Sequence, residues 1–279
     1  LIKEYKLMNK RFKKIIIFLT AWLIALIMFF PIYWMISSGF KNEVDVFSKK
    51  PKFLFEPTLN TFLTVIDQSD YFHFALNSII ISISATAFSL LLAIPAAYVM
   101  SYWPTKRTKF TMLWMLSTNM MPAVGVLMPL FIIYKTLNLL DTKLGLIIIF
   151  AMVNLPFMVW MLYTFFSELP FEILEASRVD GAGIYKELLL IVIPASYPGV
   201  VSTALLSLIF CWNESFWSIN LSAANSAPLT AFMASFSNNQ GLFWAKLSAA
   251  STMTVIPIML IGWLAQKHLV RGLTFGAVK

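Results

Sequence analysis

The 279-residue sequence predicts an all-α membrane protein with six transmembrane helices. Three observations carry that expectation. Charged residues make up 12% of the chain and hydrophobic ones 59%, whereas a soluble domain needs roughly 25% charged residues to cover its surface. Runs free of Asp, Glu, Lys and Arg occur at 15–40, 74–105, 110–134, 144–167, 188–213, 215–245 and 247–266, each long enough for the roughly 20 residues that cross a hydrocarbon core. Six of these runs are dominated by Leu, Ile, Phe, Val, Met and Ala, while 215–245 holds twelve Ser, Thr, Asn and Gln. Unpaired polar groups are costly in hydrocarbon, so that run reads as a loop and the other six as spans.

Taken in order, helix 1 is expected from about Ile15 to Ser37, with no small-residue cleavage pattern after it, so it reads as a retained span. An external segment from Lys41 to Phe74 follows. It balances four lysines against Glu43, Asp45, Glu56, Asp67 and Asp70 and carries an amphipathic patch at Leu59 to Ile66, which suits a folded cap. Helix 2 (75–101) and helix 3 (110–134) are joined by a short basic turn at Pro104 to Arg107, the connection expected of antiparallel neighbours. Helix 4 (145–166), a charged loop, helix 5 (188–212), the polar loop and helix 6 (248–266) complete the chain. With the N-terminus inside, fourteen of the 21 Lys and Arg fall on the cytoplasmic side and seven outside, which places both termini in the cytoplasm. The net charge of +8 therefore sits in juxtamembrane clusters, where anionic lipid, not nucleic acid, is the expected partner.

Eight prolines fall inside the expected spans, at Pro31, Pro95, Pro122, Pro129, Pro156, Pro194, Pro198 and Pro257, each compatible with an ordinary kink. The stretch from Ser117 to Gly125 adds a polar run, a proline and a glycine at mid-membrane depth, the pattern of a broken helix beside a cavity. Other chemistry is absent. No GxxxxGK[ST] loop occurs, so ATP is not expected to bind by that device. The single Cys211 and the separated His73 and His268 offer no metal site and no nucleophile with its base. No catalytic residue, no metal and no cofactor is expected of this chain, and it does not read as an enzyme. None of the six spans carries an ionisable residue in its interior, whereas ion-coupled carriers usually need one. If the chain moves something, a partner must supply the energy.

The charged loop is unlike the rest. Between Ser167 and Glu187 lie Glu168, Glu172, Glu175, Asp180, Glu187, Arg178 and Lys186. Pro170 suits the first turn of a short helix ending near Val179, with Asp180-Gly181 as its left-handed stop. On these residues alone, a surface turn between two spans and a helix that seats in a partner's groove both remain open.

This stretch resembles the EAA loop of bacterial ABC importer permeases, EAA-x3-G-x9-I-x-LP. Glu175, Ala176, Gly181, Ile191 and Pro194 match, while Ser177 replaces the second Ala and Ile193 replaces Leu. The likeness extends over nearly the whole chain to carbohydrate permeases related to the maltose permease. Trp212-Asn213-Glu214 is similar to their WNE signature, and Arg271 to Lys279 to their RGLTxGAVK tail. Within that group, the stretches from Leu113 to Val126 and from Ala223 to Ser237 look most similar to sorbitol and mannitol permeases.

The resemblance implies a type I ABC importer permease fold in the bacterial inner membrane. Residues 1–14 would be a cytoplasmic lead, 15–270 the permease domain with its EAA loop at about 168–194, and 271–279 a cytoplasmic tail. It implies two cytoplasmic ATPase subunits that hydrolyse the ATP, a second permease as heterodimer partner, and an external substrate-binding protein. Glu175, Ala176, Ser177, Asp180, Gly181 and Pro194 would form the ATPase-coupling element. A polyol calls for neutral amides, hydroxyls and aromatic faces, which singles out Asn119, Asn154, Asn213, Glu214 and Trp217 as path residues. For Trp217 an interfacial anchor is the competing role. The rival functions are an ion-coupled carrier or facilitator, a non-transporting receptor or scaffold, and an ABC permease for a disaccharide or glycerol phosphate.

Overall fold

The computed structural model describes residues 2–68, 70–238 and 241–274, with side chains at 13–67, 70–236 and 243–266. Of the anticipated tail, 275–279 lies outside these, as does the His268 side chain. The chain forms two compact units, Leu1–Ser69 with Phe236–Met253, and Asp70–Ser235 with Thr254–Lys279.

In the first unit, α1 (Ile2–Gly39) runs without interruption through Pro31. Its apolar side chains from Ile15 to Tyr33 are exposed, a surface that only hydrocarbon or another protein suits. Its last turn is buried, and a methyl group on Gly39 would meet the Ala249 backbone and the Phe62 ring at 3.1 Å. The segment from Lys41 to Phe74 is folded, as its amphipathic patch suggests. It forms α2 (Glu43–Val46) and α3 (Asn60–Gln68), with Val65 buried and the Thr61 hydroxyl donating to the Lys41 carbonyl at 3.1 Å. Lys41 is 2% exposed, its ammonium 4.2 Å from the Trp34 ring centroid and 4.7 Å from that of Phe55. Burial draws its pKa below the usual lysine value, against the attraction of Asp45. The Glu43 carboxylate accepts from the Ala245 and Lys246 amides at 3.0 and 3.1 Å, which supplies an acceptor for the first orphan donors of the last helix.

The second unit is built on α4 (Tyr71–Tyr102), which packs parallel to α7 (Lys143–Ser167), Ser89 meeting Ala151 and Ser101 meeting Tyr163. The buried face of α4 is a stripe of small residues, Ser78, Ser82, Ala85, Thr86, Ser89, Ala93 and Ala97. Between helices in lipid there is no hydrophobic gain, so small side chains at four-residue spacing hold the pair by close approach and contact. Hydroxyls on that stripe bond back to their own helix, as Ser82 does to Ser78 at 2.6 Å and Ser89 to Ala85 at 2.8 Å.

Two expected spans are broken. Helix 3 is α5 (Thr108–Asn119) followed by α6 (Ala123–Thr136), bent by 89°, with Pro122 at the start of α6. Helix 5 departs further from expectation. After α8 (Phe171–Val179), α9 (Ile184–Glu187), a π turn at Leu188–Val192 and α10 (Ile193–Ala195), the chain turns by 82° at Ser196, and only α11 (Tyr197–Asn213) forms the straight limb. The residues from Leu188 to Ala195 therefore belong to the loop side of that break. Pro198 lies in the first turn of α11, where its missing N–H costs nothing. Pro95, Pro129 and Pro156 sit inside continuous helices, as does Pro257 in α14.

The polar run read as a loop is partly ordered into α12 (Phe216–Leu221) and α13 (Leu229–Ala234), followed by a two-residue antiparallel ladder, β1 (Ser237–Asn238) with β2 (Gly241–Leu242). Helix α14 then runs from Trp244 to Thr274, longer at both ends than helix 6 was expected to be. Among the described residues, four helices are long and apolar enough to span a membrane, or six if each bent pair is one span.

Candidate functional site

Two places in the second unit gather the residues singled out by sequence. The first is the loop after α7. Pro170 caps α8 from just outside, and Gly181 ends it at φ +81°, a left-handed conformation that favours glycine. The Asp180 amide donates to the Ala176 carbonyl at 3.0 Å and the Gly181 amide to Arg178 at 3.1 Å, satisfying two of the last carbonyls. Leu174 is fully buried among Tyr98, Leu162, Phe166, Leu188 and Val192. On the other face Glu172, Ile173, Glu175, Ala176, Val179 and Asp180 are exposed, together with Gly181. Pro194 is exposed on α10. Ser177 departs from that group: it is 6% exposed, and its hydroxyl is turned to the Leu174 carbonyl at 2.8 Å.

Residues that sequence reasoning passed over fasten this loop. Glu187 is 1% exposed, and the Arg178 guanidinium forks onto it at 2.8 and 3.0 Å. Tyr98 of α4 donates to the same carboxylate at 2.6 Å. The Arg178 fork holds the Glu187 carboxyl below the usual carboxylate range, against the opposing effect of burial and with further help from Tyr98. Arg178 is correspondingly raised, first by its hydrogen bonds to Glu187. The sequence shows the charges of Arg178 and Glu187 but gives no signal that Tyr98, 89 residues from Glu187, completes the set.

The second place is a cavity of about 960 Å³ between the broken span α5–α6, α7 and the end of α11. All five path candidates, Asn119, Asn154, Asn213, Glu214 and Trp217, line it. Its remaining wall is largely apolar, with Phe157 and Phe210 in edge contact at 5.2 Å. Several polar groups are already engaged. The Asn154 amide donates to the Phe150 carbonyl at 2.8 Å and to the Cys211 sulfur at 3.4 Å. Asn213 donates to Ile209 at 2.9 Å, and Glu214 accepts from the Trp217 amide at 3.1 Å. Asn119 is exposed at the end of α5. The interfacial-anchor role for Trp217 is corrected: its ring is 4% exposed and packs with Leu146, Ile149, Phe150 and Leu221, because α12 folds the tryptophan back onto α7.

The stretch that follows α12 is held by an acidic staple. Asp141, at φ +52°, accepts from the amides of Ala223 at 2.8 Å, Ser226 at 3.0 Å and Asn225 at 3.2 Å, and from the Ser226 hydroxyl at 3.0 Å. Burial would raise this carboxyl, but the donated bonds outweigh it and its pKa is lowered. From α4, Asn77 donates to the Ala227 carbonyl at 3.0 Å, and the Ser78 hydroxyl accepts from the Leu229 amide at 2.7 Å. The stretch from 222 to 230 is thus pinned from two sides, unlike a free connector.

Residues 89–275 match the family described as binding-protein-dependent transport system inner membrane component. The trehalose/maltose transport system permease protein of Thermococcus litoralis is 32% identical over 271 residues, covering 96% of this chain and 97% of that one. A diacetylchitobiose uptake system permease protein of Streptomyces coelicolor is 28% identical over 93% of this chain and 95% of its own. Among solved structures, a bacterial ABC transporter that imports the acidic polysaccharide alginate contains a chain superposing with a TM-score of 0.77 at 21% identity, over 93% of this chain and 97% of that one.

Proposed function

We propose, for a chain that belongs to the family of binding-protein-dependent transport system inner membrane components, that it forms the path for an uncharged carbohydrate in an ABC importer and receives its driving force through α8. Membership and fold make it a multi-pass transport subunit of the inner membrane, not an enzyme. The ATPases, the second permease and the external binding protein are proposed partners, with both termini and α8 on the cytoplasmic side.

The observation that carries this reading is α8. It is short, bounded by Pro170 and Gly181, and exposed along Glu172, Glu175, Ala176 and Val179 while its other face is buried in the bundle. A helix attached so firmly on one side and bare on the other suits a docking element. The Glu175 carboxylate makes no hydrogen bond or ion pair among the described residues, which leaves it available to a partner. ATP-driven approach of two such helices would rock the bundles as rigid bodies, a known mode of switching.

The cavity supports the substrate class. Asn119, Asn154 and Asn213 offer neutral amides beside aromatic walls, the mix expected where hydroxyls must be bound without charge. Within that class, the likeness of 113–126 and 223–237 to sorbitol and mannitol permeases supports a sugar alcohol. A disaccharide is the second reading, supported by the sugars after which the two relatives are named and by a cavity near the upper end of ordinary ligand sites.

The test is reconstitution with the cognate ATPase and binding protein, followed by uptake of labelled sorbitol, mannitol, trehalose and maltose. ATP-dependent uptake of one of these supports the reading. Uptake by the chain alone, driven by an ion gradient and without a co-purifying ATPase, would replace it with the carrier reading.

A further inference from the structure

Glu187 is a fully paired but deeply buried carboxylate at the base of an exposed helix, and its three hydrogen bonds join three pieces of chain. Tyr98 belongs to α4, Arg178 to the last turn of α8, and Glu187 closes α9. The Arg178 guanidinium also lies 4.8 Å from the ring centroid of Trp103, the residue that ends α4, and 5.5 Å from that of Phe171 at the start of α8. Buried ion pairs are poor sources of stability, since an apolar set of equal volume often serves as well. What this one adds is direction. A planar fork meets a carboxylate in one orientation, whereas Leu174 against Leu188 and Val192 is an apolar contact without directional preference. Immediately after Glu187 the backbone widens into the π turn Leu188–Val192, an irregularity frequent at functional sites, and four residues later it bends by 82°. The directional attachment of α8 therefore goes to α4, and the irregular backbone separates it from α11.

We propose that Arg178, Glu187 and Tyr98 are positioning residues that fix the direction in which α8 moves α4, so that weakening the link reduces cavity opening per ATP hydrolysed while assembly and hydrolysis persist. The proposal rests on α8 being the ATPase-docking helix. Its test uses the complete transporter in proteoliposomes, with Asn119→Cys in a Cys211→Ser background and a membrane-impermeant maleimide as the probe of cavity opening, so no substrate is needed. In that parent, ATP should change the labelling rate at position 119 by about tenfold, the readout of a shift between two populated states. Glu187→Gln and Arg178→Lys keep size or charge but lose the charged fork. Each should cut the ATP-induced change to about twofold, while Tyr98→Phe, which removes one bond, should leave about fivefold. Lys186→Ala, an exposed neighbour, should match the parent. Variants that keep the ATPase, hydrolyse ATP and still show the full labelling change would overturn the link. So would variants whose hydrolysis and ATPase co-purification fall in step with labelling, since that is a merely structural role. A parent that binds no ATPase, or shows no ATP-dependent labelling, overturns the docking reading itself.

Discussion

The two broken spans share a covalent cause and differ in everything around it. Each break has a proline at or just after it, Pro122 between α5 and α6 and Pro198 after the bend at Ser196, and the bends are 89° and 82°. At the first break the surroundings are open: α5 buries no residue, α6 buries only Tyr134 among its described side chains, and Asn119 and Met121 line the cavity. At the second, Glu187, Leu188, Val192, Ser196 and Gly199 are all buried, and Glu187, which takes the Arg178 fork from α8, is tied to α4 by the Tyr98 hydroxyl. Pro31, Pro95, Pro129, Pro156 and Pro257 sit inside continuous helices, so proline permits a break and packing decides what the break is for. The open break makes a cavity wall, and the fastened one makes a mount for α8.

Substitutions can break or sharpen that contrast. The largest effect is expected from Arg178→Ala, which leaves the Glu187 carboxylate buried without its counter-charge. Breaking such a pair should cost about 3 kcal/mol, seen as a lower unfolding temperature in detergent. Pro122→Ala at the open break should stay within about 0.5 kcal/mol, as surface changes do. Next comes Gly199→Ala. Its added methyl would overlap the Phe165 ring, and overpacking of this kind should cost about 2 kcal/mol in the same assay. If the change is neutral, the second break is looser than described.

A smaller effect concerns Asp141, which fixes the chain just beyond α6. Its carboxyl is held below the unfolded value, so the stability it contributes is present above roughly pH 4 and is lost as pH falls through the lowered folded value. Asp141→Asn should flatten the acid limb of a stability-versus-pH curve below about pH 4 and leave the fork at Glu187 untouched. The smallest structural effect is expected from Asn119→Ala, within about 0.5 kcal/mol, accompanied by weaker uptake of carbohydrate in reconstituted vesicles.

The spans, the break near Pro122 and the stop at Gly181 were legible because each depends on local composition: apolar runs, a proline among polar residues, Asp-Gly after a helix. The five cavity residues were legible by type and depth, and the fold does bring them around one space. The bend at Ser196 was not, since Pro194 and Pro198 are equally compatible with a kinked continuous helix. For Trp217 the sequence left cavity lining and interfacial anchoring both open, because a buried and an interfacial tryptophan have the same neighbours in sequence, and only the folding of α12 separates them. The Tyr98 and Glu187 pairing and the capture of Ala223 to Ser226 by Asp141 depend on contacts between residues more than 80 positions apart, which no local pattern records.

The central claim is that α8 meets a partner's ATPase. A single cysteine introduced by Glu175→Cys in the Cys211→Ser background measures this directly in membranes that contain the whole transporter. The account predicts a cross-link to the ATPase subunit, strengthened or weakened by ATP, and no reaction with an impermeant thiol reagent added outside the cell. Labelling from outside, with no cross-link to the ATPase under any nucleotide condition, would contradict it.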